Sequence, residues 1–239
     1  LVERFIDDIS NIPGLWYIHF IGGETLYCKA FYTICNALIE RGLSKNIMLG
    51  FLTNGTIYTS ELEHILTNFK SIHFGISIET PLPANQYIRY PTPVDEVLTN
   101  IDKFLALRQK YNNIFLELSV TPTLMSILHL SDMIRFSINK AIPMTCNTLR
   151  NKPDLEIELL PDDLIQIALS KLLSLVNEFG FARSATINDT CNPNLTESIR
   201  ANIVFNYIDL LSGIKRPDDL EEQRFRLVEY LNGMEEIRG

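Results

Sequence analysis

Apolar and polar positions change period along this chain, and the changes mark its elements. Six residues from Trp16 to Ile21, mostly aromatic or β-branched, run into Gly22-Gly23-Glu24. That run predicts a buried strand ending in a turn where glycine lets the backbone leave freely and lets a ligand come close. Tyr27, Ala30, Phe31, Ile34 and Leu38 then recur at helical spacing, with Gly42 as the expected stop. Further strands are expected over Asn46–Leu52, Ser71–Ile78 and Asn113–Val120, with a short fifth over Pro143–Thr148. Between them, Ser60 with Glu63 has capping-box spacing for a helix to about Phe69. Thr92-Pro93 opens an amphipathic helix with Val94, Val97, Leu98, Ile101, Phe104 and Leu105 on one face, and another helix is expected at about Ser126–Asn139. Residues 1–10 read as the end of a helix, followed by a turn at Asn11–Gly14.

After Thr148 the pattern shifts. Asn151–Asp154 reads as a turn, and Leu155–Leu160 as a sixth short strand or an extended connection. Pro161-Asp162-Asp163 opens a helix to Phe179 that is apolar on most sides and so expected to be well covered. Ser184–Asn194 reads as a polar loop, followed by helices at about Leu195–Leu211 and Asp219–Leu231. Strand–helix units in succession predict a parallel α/β sheet.

Composition narrows the class. Of 239 residues, 46% are apolar and 21% charged, which is ordinary for a globular chain. The net charge of -8 argues against non-specific binding to nucleic acid or an anionic membrane surface. No apolar run is long enough to span a bilayer, and the first residues lack a signal-peptide pattern, so a cytoplasmic location is expected. The four cysteines, Cys28, Cys35, Cys146 and Cys191, are too sparse for a disulfide scaffold. Cys28 and Cys35 fall roughly 10 Å apart along one expected helix, too far to share a compact metal centre. Small buried thiols are the expectation for all four.

Polar or glycine residues follow three successive strands: Gly22-Gly23-Glu24, Asn54-Gly55 and Ser77-Ile78-Glu79. In a parallel sheet those ends share one edge, where α/β folds place small-molecule sites. The alternative at Gly22–Glu24 is a plain strand-to-helix turn with an acid favoured by the helix dipole. His19 and His73, each inside an expected strand, read as hydrogen-bonded core or barrel-lining residues, and His64 and His129 as surface residues of helices.

The order Gly-Gly-Glu, Thr53-Asn54-Gly55 and Ser77-Ile78-Glu79 resembles the core of the radical S-adenosylmethionine enzymes. So do Asn85–Arg89, Leu149–Asp163 and Asn206–Arg216, the last two being closest to the subgroup with a twitch-type C-terminal extension. The resemblance implies a partial (βα)6 TIM-like barrel over residues 1–155, with its first strand and cluster loop absent, and a helical twitch-like extension over 156–239. It implies that Gly22, Gly23 and Glu24 hold the ammonium of S-adenosylmethionine, which needs acceptors only. Asn54 and Ser77 are expected near its ribose or carboxylate, Arg89 on the carboxylate, and Glu79 at the same cofactor. The family reaction is reduction of the cofactor at a [4Fe–4S] cluster to a 5′-deoxyadenosyl radical, which abstracts hydrogen from substrate. A flavodoxin or ferredoxin would donate the electron. The substrate stays open among peptide, nucleotide and small metabolite.

This chain departs from the family pattern at three places. Thr25 stands where proline is usual, Glu79 where aspartate is usual, and no cysteine precedes Gly22, where the family carries its three cluster ligands. The cluster is expected only in an intact protein that carries those cysteines, and this chain alone is expected to be inert. Two other readings remain: a cluster-less binding or scaffold protein on a degenerate barrel, and an ordinary α/β-barrel enzyme using acids such as Glu24 and Glu79.

Overall fold

The computed structural model describes residues 2–147, 155–183 and 195–238. The expected turn at Asn151–Asp154, the loop at Ser184–Asn194 and Cys191 lie outside them. The strands are β1 (Tyr17–Phe20), β2 (Met48–Thr53), β3 (Ser71–Ser77), β4 (Ile114–Val120) and β5 (Met144–Cys146), ordered β1-β2-β3-β4-β5 in one sheet. Register is parallel, with His19 beside Gly50 and Gly50 beside His73. The helices are α1 (Val2–Ser10), α2 (Lys29–Glu40), α3 (Ser60–Asn68), α4 (Ala84–Ile88), α5 (Val94–Lys110), α6 (Leu130–Asn139), α7 (Asp162–Phe179), α8 (Leu195–Ser212) and α9 (Leu220–Arg238). This is a parallel α/β sheet interleaved with helices, consistent with a partial (βα)6 TIM-like barrel, followed by C-terminal helices. Among the described residues no helix is long and apolar enough to cross a membrane.

The chain divides into two compact units. Unit 1 comprises residues 1–78 and 92–118. Its core is a line of rings running from α2 through the sheet to α5. Phe31 meets Phe51 at 5.4 Å between ring centroids, Phe51 stacks on Phe74 at 5.1 Å, and Phe74 meets Phe104 edge-on at 5.0 Å. Such pairs add about 0.5–1.5 kcal/mol each beyond the area they bury. Alternate residues explain why the helices cover one face only: Leu49 and Phe51, Ile72, Phe74 and Ile76, Ile114, Leu116 and Leu118 are buried. The opposite face of unit 1 carries Tyr17, His19, Leu52, His73 and Phe115, all exposed.

Three expectations for unit 1 change. The run ending at Gly22 is no buried strand: Trp16 and Ile21 are 64% and 90% exposed. β1 closes one end of the strand order, so only one of its edges is paired. Tyr27 belongs to a 3-10 turn over Thr25–Tyr27 rather than to α2, and it is exposed. The cap of α3 is Thr59, whose hydroxyl accepts from the Leu62 N–H at 3.1 Å, rather than the Ser60–Glu63 pair. α2 ends as expected, with Gly42 N–H on the Ile39 carbonyl and Leu43 N–H on the Leu38 carbonyl.

Unit 2 comprises residues 79–91 and 119–239. Arg200 organises its interior: Nε donates to Ser137 Oγ at 2.9 Å, and Nη2 donates to the Ser137 and Ile142 carbonyls at 3.0 Å. Residues Ile157–Leu159 form a 3-10 turn, which settles the strand-or-connection question for that stretch. α7 is less covered than expected, since Ile167 and Leu173 are exposed. α9 runs on past Leu231 to Arg238.

Candidate functional site

In unit 1 the strand-end residues are joined by one carboxylate. Glu24 sits just before the 3-10 turn as its N-cap, and Oε1 accepts from the Leu26 N–H at 3.1 Å. The same oxygen accepts from the Thr53 hydroxyl at 2.6 Å, and Oε2 accepts from the Asn54 N–H at 2.6 Å. Glu24 therefore ties the turn after β1 to the turn after β2. Asn54 then folds its own turn, with Oδ1 accepting from the Thr56 N–H at 3.0 Å and the Thr56 hydroxyl at 2.8 Å. Its amide N–H groups have no partner among the described residues. The Gly55 carbonyl accepts from Asn100 Nδ2 at 3.0 Å, which fixes the turn to α5.

Gly22 has φ of +151°, a conformation L side chains rarely adopt, and a Cβ on Gly22 or Gly23 would meet nothing within 4 Å. The backbone there is open to a ligand. Ser77, half-buried at the end of β3, keeps its hydroxyl without a partner among the described residues. Unit 1 thus brings Glu24 and Asn54 into direct contact and leaves the Gly22–Gly23 backbone, the Asn54 amide and the Ser77 hydroxyl free to bind.

Glu79 and Arg89 fall in unit 2 and bind each other. Glu79 is 4% exposed. Its Oε1 accepts from Arg89 Nη1 at 3.0 Å and its Oε2 from the Thr121 N–H at 2.8 Å. Burial raises the Glu79 carboxyl above its ordinary range, while the Thr121 N–H and the Arg89 charge pull it back only in part. Asn85 holds the loop, Oδ1 accepting from the Glu79 N–H at 2.9 Å. Two donors here are buried without a hydrogen-bond partner, Arg89 Nε and Asn85 Nδ2. Buried orphan donors cost free energy until an acceptor reaches them.

Sequence reasoning quoted Thr53 and Asn85 inside longer motifs but gave them no role, and it missed Thr121. Thr53 had a usable signal, being the polar residue at the end of an apolar strand. Asn85 and Thr121 act through contacts that no local pattern encodes. His19 and His73 lie on the sheet face that the helices leave uncovered, which fits the barrel-lining alternative and not the core one. His19 Nδ1 lies 2.6 Å from the Tyr17 hydroxyl, and His73 stacks on Phe115 at 4.5 Å on the open face of the sheet. Gly50 makes room for the first pair, because a Cβ there would fall 2.5 Å from His19 Nδ1. His64 is exposed as expected, and His129 is half-buried on a 3-10 turn. Of the described cysteines, Cys35 is buried as expected, while Cys28 is exposed and Cys146 partly so. Among the described residues no three His, Cys, Asp or Glu side chains converge where a metal ion would fit.

No protein-family model matches this chain, and no curated protein matches it. Solved structures do. SuiB of Streptococcus suis bound to its precursor peptide SuiA aligns with a TM-score of 0.52 at 12% identity, over 75% of this chain and 40% of that one. The chain has a SuiB-like fold. SuiB bound to S-adenosylmethionine aligns with a TM-score of 0.46 at 13% identity, over 69% of this chain and 36% of SuiB. This chain spans well under half of the length of SuiB. At such identity the likeness to SuiB carries the fold and assigns no residue its role.

Proposed function

We propose that this chain is the S-adenosylmethionine-binding part of a radical S-adenosylmethionine enzyme, with a peptide as its partner. The single observation that carries the reading is the Glu24 strut. It fixes the open Gly22-Gly23 backbone against the Asn54 turn at neighbouring strand ends. That arrangement offers carbonyl acceptors and an amide donor in fixed positions, which suits an amino acid head group carrying both ammonium and carboxylate. Three of the Glu24 acceptor positions are already filled from within the chain. In this reading the ammonium rests chiefly on the Gly22 and Gly23 carbonyls, with Glu24 supplying the charge behind them. Asn54 and Ser77 donate to the ribose or carboxylate. Glu79 and Arg89 pair with each other within unit 2 and are given no part in this unit 1 site.

When bound at a suitable cluster, S-adenosylmethionine supplies a 5′-deoxyadenosyl radical. The described thiols do not fit a [4Fe–4S] cluster, which takes convergent thiolates. No step through a cluster is therefore derived for this chain. The part these residues play is to bind and orient the cofactor. The C-terminal residues 156–239 are proposed as the twitch-like extension. A peptide partner is favoured over nucleotide and small metabolite because SuiB, of like fold, is bound to a precursor peptide.

Equilibrium dialysis with labelled S-adenosylmethionine tests the reading. The wild type is expected to bind one equivalent, and Gly23→Asp, which adds a charge and bulk in open space, to lose at least about tenfold in affinity. Absence of saturable binding by the folded wild type overturns it.

A further inference from the structure

We propose that a cavity within unit 2 binds an organic cation carried on an apolar stem, with Glu156 and Glu158 as its counter-charges. The cavity measures about 490 Å³, in the range of small-molecule sites, and none of Gly22, Gly23, Glu24, Asn54, Ser77, Glu79 and Arg89 lines it. Its apolar wall is Pro122, Ile157, Ile203 and Leu210. Glu156 and Glu158 flank the buried Ile157 and line the same space. Among the described residues neither carboxylate has an ion-pair partner, and no lysine, arginine or histidine lines the cavity.

Among the described residues, Arg216 and Arg224 hold the backbone of this turn and do not pair with its acids. Arg216 donates to the Glu158 carbonyl and pairs with Asp162. Arg224 Nε donates to the Leu159 carbonyl at 3.2 Å and its Nη1 pairs with Glu221 at 3.2 Å. The turn is thus fixed in place while two negative charges stay unspent beside an apolar wall. The remaining polar groups do not offset them. Burial, and next the charge of Glu79, push the Cys146 thiol up to about 12, so it stays neutral. Burial likewise raises the Tyr207 hydroxyl, reinforced by Cys146 and Glu79. Tyr207 is therefore a neutral hydrogen-bonding group beside the two carboxylates. An anion would lie against the two carboxylates. A neutral apolar molecule leaves two carboxylates without partners. An ammonium or guanidinium on a hydrocarbon stem satisfies both walls at once.

A matched pair of probes tests this on the full chain. Dansylcadaverine and dansyl-6-aminohexanoate share a fluorophore and a five-carbon linker and differ in the charge at the end. In fluorescence titrations at low salt, dansylcadaverine is expected to bind saturably and at least about tenfold more tightly than the carboxylate. Glu156→Gln with Glu158→Gln is expected to remove that preference without lowering the melting temperature. Equal binding of the two probes overturns the proposal, as does unchanged selectivity in the folded double variant. Because S-adenosylmethionine is itself a cation, it serves as competitor. Undiminished dansylcadaverine binding at saturating S-adenosylmethionine supports a separate site, and one-for-one displacement overturns it. The strand-end reading is tested apart from this one, by the loss of S-adenosylmethionine binding on Gly23→Asp in the dialysis experiment.

Discussion

Glu24 and Glu79 use one device in two electrostatic settings. Each lies just past a strand end, and each captures a backbone N–H just past the end of another strand: Asn54 for Glu24, Thr121 for Glu79. Glu24 draws its other bonds from neutral donors, the Leu26 N–H and the Thr53 hydroxyl. Glu79 is sealed almost completely and has an arginine beside it. A carboxylate half in water can be held by dipoles alone. A carboxylate taken out of water requires a counter-charge, and even then burial dominates its titration.

That comparison can be broken at several points. Glu79→Ala leaves Arg89 and the Thr121 N–H without their acceptor, and is expected to cost about 3 kcal/mol in urea unfolding. Glu24→Ala removes acceptors from three donors that water can partly replace, and is expected to cost about 2 kcal/mol. If Glu24→Ala proves the costlier, dipoles rather than counter-charge carry the stronger clamp. Next is Gly55→Ala, at the turn Glu24 positions. A Cβ there would lie 2.9 Å from Ile76 Cγ2 and 3.1 Å from Val97 Cγ1 at φ +79°, so about 1–3 kcal/mol should be lost.

A pH series sharpens the contrast. The Glu79 carboxyl is raised above its ordinary 4.5 in the folded protein. Between those two values the folded state holds more proton than the unfolded state, so the Glu79 contribution falls as pH rises through that window. Relative to Glu79→Gln, the wild type should therefore lose stability as pH rises above 4.5, and a difference that is flat with pH would remove burial as the dominant cause. The smallest effect concerns α3: Thr59→Ala should cost about 1 kcal/mol in thermal unfolding, and Ser60→Ala only a few tenths.

The parallel strand–helix units, the α5 face and the polar strand ends were legible because they follow from local period and turn chemistry. Val97, Ile101 and Phe104 announce their buried face by spacing alone. The opening strand was misjudged for a physical reason. Trp16 to Ile21 looks apolar enough to be buried, yet burial depends on how many strands flank it, and β1 has a neighbour on one side only. The Thr59 cap was hidden because Ser60 and Glu63 satisfy the same rule one residue later. At the candidate site, residue types were readable and partners were not. Arg89 reads from sequence as a free cation near the cofactor, but folding gives it Glu79, ten residues away.

The way the chain weaves between its units has a consequence for synthesis. Unit 1 is completed only by residues 92–118, after the 79–91 stretch of unit 2 has been made. Until Phe104 leaves the ribosome, Phe74 has no edge-on partner and the line of rings ends in an open face. A nascent chain paused at Ile78 would carry β1, β2 and β3 with the part of their apolar surface that α5 covers still open. This protein should therefore be most exposed to chaperone capture in the middle of translation, and no stop codon placed before residue 92 should yield a folded unit 1.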